Sequence, residues 1–508
     1  MSLNGALLIA SGGLANISRQ MAVVSNNVAN AGTPDYAREV ATQTSVTAGG
    51  QGMGVFSGPV VREIDLQLQK EAFLQTAEVS GLQTRQTALQ GIDAVQGTPG
   101  QGSDLGSMLG RLEDGFTSLQ ADPSSAATQS QVVNAAGVLA AKVNTLGNSY
   151  VTARQNAQDN ITSGLARLNA DIDTISSLTD RIVSLKGQQA STADLENQRD
   201  TALRAMSGLV KVSFINQADG GLLAATAGGL AIALSTPAPH FTMAQGSATQ
   251  QTYYPGGGIP PIMLNGADVT GQLTGGAIGA GIELRDTTLP GYLSQLDEFS
   301  HSLSQRFSAQ GLQLFNAPSG GASAMNPTPV QSGYIGYSTV IAVDPSVLAN
   351  PAAVRDGNLS ITGSAFGASA FTPNPAGGPA SFGGMISRVL SYSFGSLVQA
   401  GVSQVMANVA GLGPKGNLVA PFTAPQTLAG FATVVVAAQS SDVGQVATKL
   451  GTENAVQTAL TARVTSSSGV STDAELARMV GLQNAYGANA RIISTAQAMW
   501  TQLLNAVP

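Results

Sequence analysis

The sequence predicts a multidomain α+β protein with paired N- and C-terminal coiled-coil helices, a long helical rod domain and an inserted β-rich outer domain. Three observations lead there. Apolar residues recur at alternating spacings of three and four at both chain ends, two long sections (66–95 and 131–186) keep helical periodicity without a proline, and residues 316–436 are rich in Gly, Pro, Ser and Thr. At 508 residues the chain is long for one hydrophobic core, and its 60 glycines dilute every apolar cluster.

The N-terminal seam is Leu3, Leu7, Ala10, Leu14, Ile17, Met21, Val24 and Val28, the spacing of a coiled coil. Arg19 is the only charged side chain over residues 1–34, and Pro34 stops the helix by disfavouring helical geometry at the residue before it. At the other end Met479, Leu482, Tyr486, Asn489, Ile493, Ala496, Trp500, Leu503 and Val507 repeat the pattern. Thr472 is the expected N-cap, with Asp473 and Glu475 in the first turn, where exposed amides favour negative charge. Ser466 to Gly469 reads as a flexible joint. Neither end helix can bury its stripe alone, because an isolated helix of this size is marginal in water. Two readings are open: a hairpin that joins the termini within one chain, and a pair that goes on to polymerise with other copies. Membrane insertion is disfavoured, since no run of 18 continuous apolar residues occurs and cations are too few for a membrane-surface helix.

Between the ends, residues 66–95 and 105–120 read as helices separated by a Gly-rich break, and Asp122-Pro123-Ser124 as a turn. The strongest internal helix spans 131–186. Leu139, Val143, Leu146 and Tyr150 set one register, and Ile161, Leu165, Leu168, Ile172, Ile175 and Ile182 set another, shifted by a residue. Unbroken from 138 to 186, it is about 70 Å long. Val210 to Ile215 reads as a strand, 289–315 returns to helical spacing, and the runs 339–343 and 433–436 read as strands. The resulting division is a terminal part (1–65 with 465–508), a mainly helical rod (66–319 with 437–464, β-rich near 210–283) and a β-rich outer part (320–436).

Chemistry is hard to place on this chain. Charged residues make up 10%, against roughly 25% in ordinary soluble domains, and the formal net charge is -7, so no basic stripe for nucleic acid is present. Cysteine is absent. The two histidines lie far apart: His240 reads as a loop residue and His301 as a surface or helix-packing residue. No HExxH, GxSxG or phosphate-loop pattern occurs, and Asp171 and Asp173 point in different directions on a helix. The expectation is therefore no catalytic, cofactor or metal site, and not an enzyme.

The segment Ser25-Asn26-Asn27-Val28-Ala29-Asn30, continued by Ala31-Gly32-Thr33-Pro34-Asp35-Tyr36, resembles the shared start of flagellar axial proteins. Leu195 to Asp200 with Arg199 and Asp200, Glu283-Leu284-Arg285-Asp286, Ser468 to Asp473, Gln483 to Tyr486 and Ala490 to Ala496 resemble the FlgK family of hook-associated proteins. The resemblance covers most of 2–315 and 438–505; Gln497 stands where that family commonly has an acid. What it implies is a secreted structural subunit, exported by the flagellum-specific type III route. It would polymerise with other copies at the hook-filament junction, contact the hook protein and a second junction protein, and be met on its C-terminal helix by an export chaperone before export.

Overall fold

Ala126–Gly187 forms one unbroken helix of 62 residues in the computed structural model, which describes residues 3–33, 36–48, 51–98, 100–316 and 330–505. At 1.5 Å per residue it is about 93 Å long. Ser125 starts it, its hydroxyl accepting from the Thr128 amide. Gly147 and Gly164 do not break it, and both are points of close approach. A Cβ at Gly147 would meet the Ser338 hydroxyl at 3.0 Å, and one at Gly164 would meet Ile278 at 3.0 Å.

In chain order the elements are α1 (Leu3–Ala29), a hairpin of β1 (Glu39–Ala48) and β2 (Gln51–Arg62), α2 (Leu66–Gln96), α3 (Leu105–Ala121), α4 (Ala126–Gly187) and α5 (Ala193–Leu209). Two antiparallel three-stranded sheets follow, β3 (Val212–Asn216) with β4 (Leu222–Thr226) and β5 (Ala231–Ala233), then β6 (Phe241–Met243) with β7 (Ile262–Leu264) and β8 (Ala267–Asp268). Next come α6 (Gly276–Glu283), a π turn (Leu284–Thr288) and α7 (Leu289–Ala309). Short helices α8 (Pro345–Ala349), α9 (Ala353–Asp356) and α10 (Gly384–Arg388) precede two small hairpins, β9 (Leu397–Gln399) with β10 (Val402–Ser403) and β11 (Ala410–Leu412) with β12 (Leu418–Val419). The chain closes with α11 (Leu428–Ser468) and α12 (Thr472–Asn505). The fold is mixed α+β, with long helices and small sheets.

Two cores account for the two registers read in α4. Val132 to Tyr150 pack with α3, α7 and the start of α11, whereas Ile161 to Ile175 pack with α5 and the sheets β3–β8. The apolar stripe shifts because the helix changes partners partway along.

The middle of the chain departs from the β-rich expectation. Residues 433–436 are helical, and among the described residues of 330–427 only the two small hairpins are paired strands. Nor does this segment keep a core of its own. Ile341, Val347, Val354, Met385, Ile386 and Phe394 enter the same core as α3, α4 and α7, and the Phe394 ring meets Phe307 at 5.4 Å. Buried carboxylates fasten it to α7. Asp297 accepts from the amides of Gly336 (2.7 Å) and Ser338 (2.9 Å), and burial pushes its carboxyl up to about 7. Glu298 accepts from the Tyr334 hydroxyl at 2.6 Å and the Asn408 amide at 2.8 Å, and burial raises it also. His301 stacks on Tyr334 at 3.9 Å, and burial lowers it to about 4. Those six apolar side chains contribute on the order of 10 kcal/mol of burial. Replacing 330–427 by a short linker is therefore expected to destroy cooperative unfolding of the helical body, measured by circular dichroism on heating. Retention of the wild-type transition would show instead that the segment is separable.

Candidate assembly surface at the chain ends

The N- and C-terminal helices meet in this structure. α1 and α12 run antiparallel, with Gly13 opposite Asn489 and Asn27 opposite Glu475. On α1, Ala10, Ile17 and Val24 are buried and Leu7, Leu14, Met21 and Val28 are half-buried, between α12 and the β1–β2 hairpin. Asn16 secures the hairpin side: its amide donates to Gln43 at 2.5 Å and its oxygen accepts from Ser57 at 2.8 Å. By length and by the mean hydropathy of its most apolar 18-residue window (1.2) α1 could cross a bilayer, a point that counting continuous apolar runs misses. Here the helix is occupied by the hairpin and α12.

The pair carries no mark of a regular coiled coil. On α12, Met479, Leu482 and Ile493 are half-buried and Ala496 is buried, but Tyr486, Trp500 and Leu503 are exposed, the last at 60%. The 3-4 spacing puts all of them in one seam, yet in this structure Tyr486, Trp500 and Leu503 are left uncovered. Leu3 belongs to that seam too, but its side chain lies outside the described residues, as does Pro34 of the N-terminal motif. Ile492, Met499 and Leu504 widen the uncovered stripe, and Leu476 and Val480 are exposed on the face away from α1. The hairpin adds Phe56 at 63% exposure and Met53 at 53%. Contiguous apolar surface of this kind marks an interaction site.

A polar knot fixes this surface to the body. Asn27 is fully buried: its amide donates to the Glu39 carbonyl (2.9 Å) and to Glu475 (3.2 Å), and its oxygen accepts from the Glu39 amide (3.0 Å) and the Tyr36 hydroxyl (3.1 Å). Glu475, also fully buried, takes Arg38 at 2.6 Å, and this bond holds the Arg38 guanidinium above its usual range. Burial raises both the Tyr36 phenol and the Glu39 carboxyl. Asn197 of α5 bonds the Ala37 amide at 3.2 Å. Arg62, at the end of β2, binds Glu196 at 3.0 Å and Asp200 at 2.5 Å, and Gln69 of α2 donates to Asp200 at 2.6 Å.

The remaining motif residues divide. Ser25 and Asn26 are exposed, and Asn30 caps the end of α1 by donating to the Asn26 carbonyl. Arg199 is buried and donates to the Gly220 carbonyl at 2.9 Å; burial lowers its guanidinium. Arg285 and Asp286 sit on the π turn, away from the chain ends. They pair in a fork at 2.8 and 2.6 Å, while Arg285 also donates to Gln158 of α4 at 2.8 Å. Their work is to hold α4 against the α6–α7 junction.

Two expectations about the joint are corrected. The cap is Ser471, whose hydroxyl faces the Ala474 amide at 3.4 Å, and Thr472 is the first helical residue. Ser468 is buried and pinned, its carbonyl accepting from the Arg38 amide at 2.8 Å and its hydroxyl from the Asp65 amide at 3.3 Å, so Ser466 to Gly469 is no loose hinge. Sequence reasoning missed Arg38 and Arg62, and read Glu475 only as a first-turn charge. One signal was available: Glu475 precedes Met479 and Leu482 at the seam spacing, so it falls on the buried stripe.

Comparison with known proteins agrees with this geometry. Residues 89–321 match the family described as the flagellar hook-associated protein FlgK helical domain. Residues 7–36 match the flagella basal body rod protein family, and 463–506 the flagellar basal body rod FlgEFG protein C-terminal family. Flagellar hook-associated protein 1 of Salmonella typhimurium is 29% identical over 242 residues, 45% of this chain and 40% of that protein. The Bacillus subtilis protein of the same name is 26% identical over 42% of this chain and 46% of its own length, and that of Escherichia coli 25% identical over 95% and 96%. The chain thus spans about two-fifths of the length of the first of these relatives. A solved flagellar hook junction protein FlgK from Burkholderia pseudomallei aligns at 20% identity with a TM-score of 0.41, covering 49% of this chain and 44% of that one, too distant a likeness to argue from. These matches make the chain similar to flagellar rod and hook axial proteins at both ends and in the helical body between them. In the helical body the similarity is to the FlgK helical domain.

Proposed function

We propose that this chain forms the hook-filament junction of a bacterial flagellum, as a secreted structural subunit and not an enzyme. The observation that carries the reading is the terminal helix pair, whose apolar stripe on α12 is left exposed at Trp500 and Leu503. Other copies, the hook protein and a second junction protein are the neighbours that cover it in the assembled axis. Before export, a cytoplasmic chaperone covers the exposed side of α12, and export follows the flagellum-specific type III route. Hook and rod subunits would share such ends; the match of residues 89–321 to the hook-associated helical domain favours the junction. No nucleic acid and no membrane insertion are part of this role.

Deletion of the gene is expected to leave complete hooks without filaments, with the later subunits released into the medium. Electron microscopy of hook-basal bodies and assay of the medium test it. Normal filaments on those hooks would refute the junction assignment.

A further inference from the structure

We propose that Glu475 is a register pin: through Asn27 and Arg38 it holds α12 at the one offset along α1 that leaves Trp500 and Leu503 exposed. The offset is a property of the single chain; only its consequence for assembly rests on the junction reading.

The offset is uniform along the pair. Gly13 faces Asn489 and Asn27 faces Glu475, so the helices stay in step from 13 to 27 on α1 and from 475 to 489 on α12. The apolar stripes alone do not select it. Both helices repeat their seam at alternating spacings of three and four, and a slide of about seven residues, roughly 10 Å, restores the same alternation. Nor is the contact rich in apolar burial. Among the described residues only Glu475 and Ala496 of α12 are fully buried, and the buried set of α1 is Ala10, Asn16, Ile17, Val24 and Asn27.

Drawing α12 along α1 toward the body by one such repeat is the slide that apolar burial favours. Trp500, 42% exposed, would take the place of half-buried Ile493, and Leu503 that of buried Ala496. Thr472 to Arg478 would unwind to give the length, while Ser468, ahead of them, keeps its bonds to Arg38 and Asp65. In those first two turns Glu475 is the one fully buried residue, and Thr472, Asp473, Ala474, Leu476 and Ala477 are exposed. What resists the slide at this end is therefore the Glu475 carboxylate, which accepts from the Arg38 guanidinium at 2.6 Å and the Asn27 amide at 3.2 Å. At the slid offset Asn27 would face Leu482, which offers its amide no acceptor. Removing the carboxylate strands no charge, because Arg38 keeps Glu63 at 2.5 Å, and Asn27 keeps the Glu39 backbone and the Tyr36 hydroxyl.

The chain lacks cysteine, so a pair of introduced thiols can report the offset. Gly13→Cys with Asn489→Cys reports the present one, and Gly13→Cys with Ala496→Cys the slid one. The two cannot be confused, since a disulfide needs Cα atoms within about 7 Å. Purified full-length chains are oxidised in dilute solution, and the link within one chain is read by mass. With Glu475 in place, the 13–489 link is expected and the 13–496 link is not. In Glu475→Leu the ratio of 13–496 to 13–489 should rise about tenfold or more, the weight of one hydrogen bond to a charged group, with the thermal transition of the helical body unchanged. If Glu475→Leu keeps the 13–489 link alone, the apolar stripes set the offset and the pin is refuted. If it forms neither link while the body stays folded, Glu475 is needed for pairing itself and not for choosing the offset, which also overturns the proposal. Absence of the 13–489 link with Glu475 in place would do the same. Incorporation into flagella is measured separately, and Glu475→Leu should lower it about tenfold in step with the offset. A shifted offset with normal incorporation would leave the pin standing and remove the exposed stripe from the assembly reading.

Discussion

Ile493→Asp is expected to abolish incorporation into the flagellum while leaving the thermal transition of the helical body in place. Ile493 is half-buried on α12, with Asn489 and Ala496 on the same face, where the helix lies against α1. A carboxylate there has no cation to receive it. Arg19 is the only charged residue of α1, and with Gly13 already opposite Asn489 it lies further toward Leu482. Burying an unpaired charge costs several kcal/mol or forces the contact open, and full burial of an isoleucine is worth about 1.5–3 kcal/mol. Partial exposure in the isolated chain reduces both figures; the full cost arises when neighbouring copies close over the stripe. The body does not share this contact, so its cooperative unfolding should barely move. Gln497→Asp, exposed on the same helix, is the comparison, with secretion and hook-tip incorporation measured separately in a strain without the normal copy. Equal incorporation of the two variants would remove α12 from the assembly surface. Loss of Ile493→Asp at secretion would place its effect earlier, at export.

Arg62→Leu is expected to cost about 3–5 kcal/mol, the range for breaking a buried ion pair by removing one partner. The Arg62 and Asp200 side chains are each 6% exposed and pair at 2.5 Å, and Glu196 binds the same guanidinium at 3.0 Å. Without Arg62 the Asp200 carboxylate keeps the Gln69 bond but loses its 2.5 Å ion pair, while Glu196 still has Lys186 at 3.0 Å. Most of the loss is therefore the stranded charge on Asp200, and Asp200→Asn added to Arg62→Leu should recover a large part of it. Urea unfolding of the single and double variants measures both. A loss below about 1 kcal/mol, the level of a surface ion pair, would mean that this cluster does not secure the hairpin to α5.

The stripes of α1 and α12, the helices 66–95, 105–120 and 131–186, and the strand near residue 212 were legible in the sequence because each rests on local periodicity and a cap or breaker at its edge. Residues 433–436 misled for the opposite reason. Thr433 to Val436 is a β-branched run, but Leu428, Phe431, Ala432, Val435, Val436 and Gln439 share a 3.6-residue period, and Thr427 caps the helix by accepting from the Gly430 amide at 3.1 Å. Burial against α3, α4 and α7 outweighs a propensity difference of less than about 1 kcal/mol per residue.

What the sequence determined by itself was that both ends are helices with an apolar stripe, that the ends carry the axial-protein motif, and that long helices form the body between them. The tertiary structure decided which parts of those stripes are spent. Composition gives Glu475 and Trp500 the wrong surroundings, because burial depends on what lies opposite. Glu475 is enclosed where Arg38 and Asn27 come from 437 and 448 residues away to meet it, and Trp500, on the same helix, stays exposed. Periodicity fixes the face a residue occupies on its helix; only the path of the distant chain fixes whether that face is covered, since desolvation and hydrogen bonding act between neighbours in space.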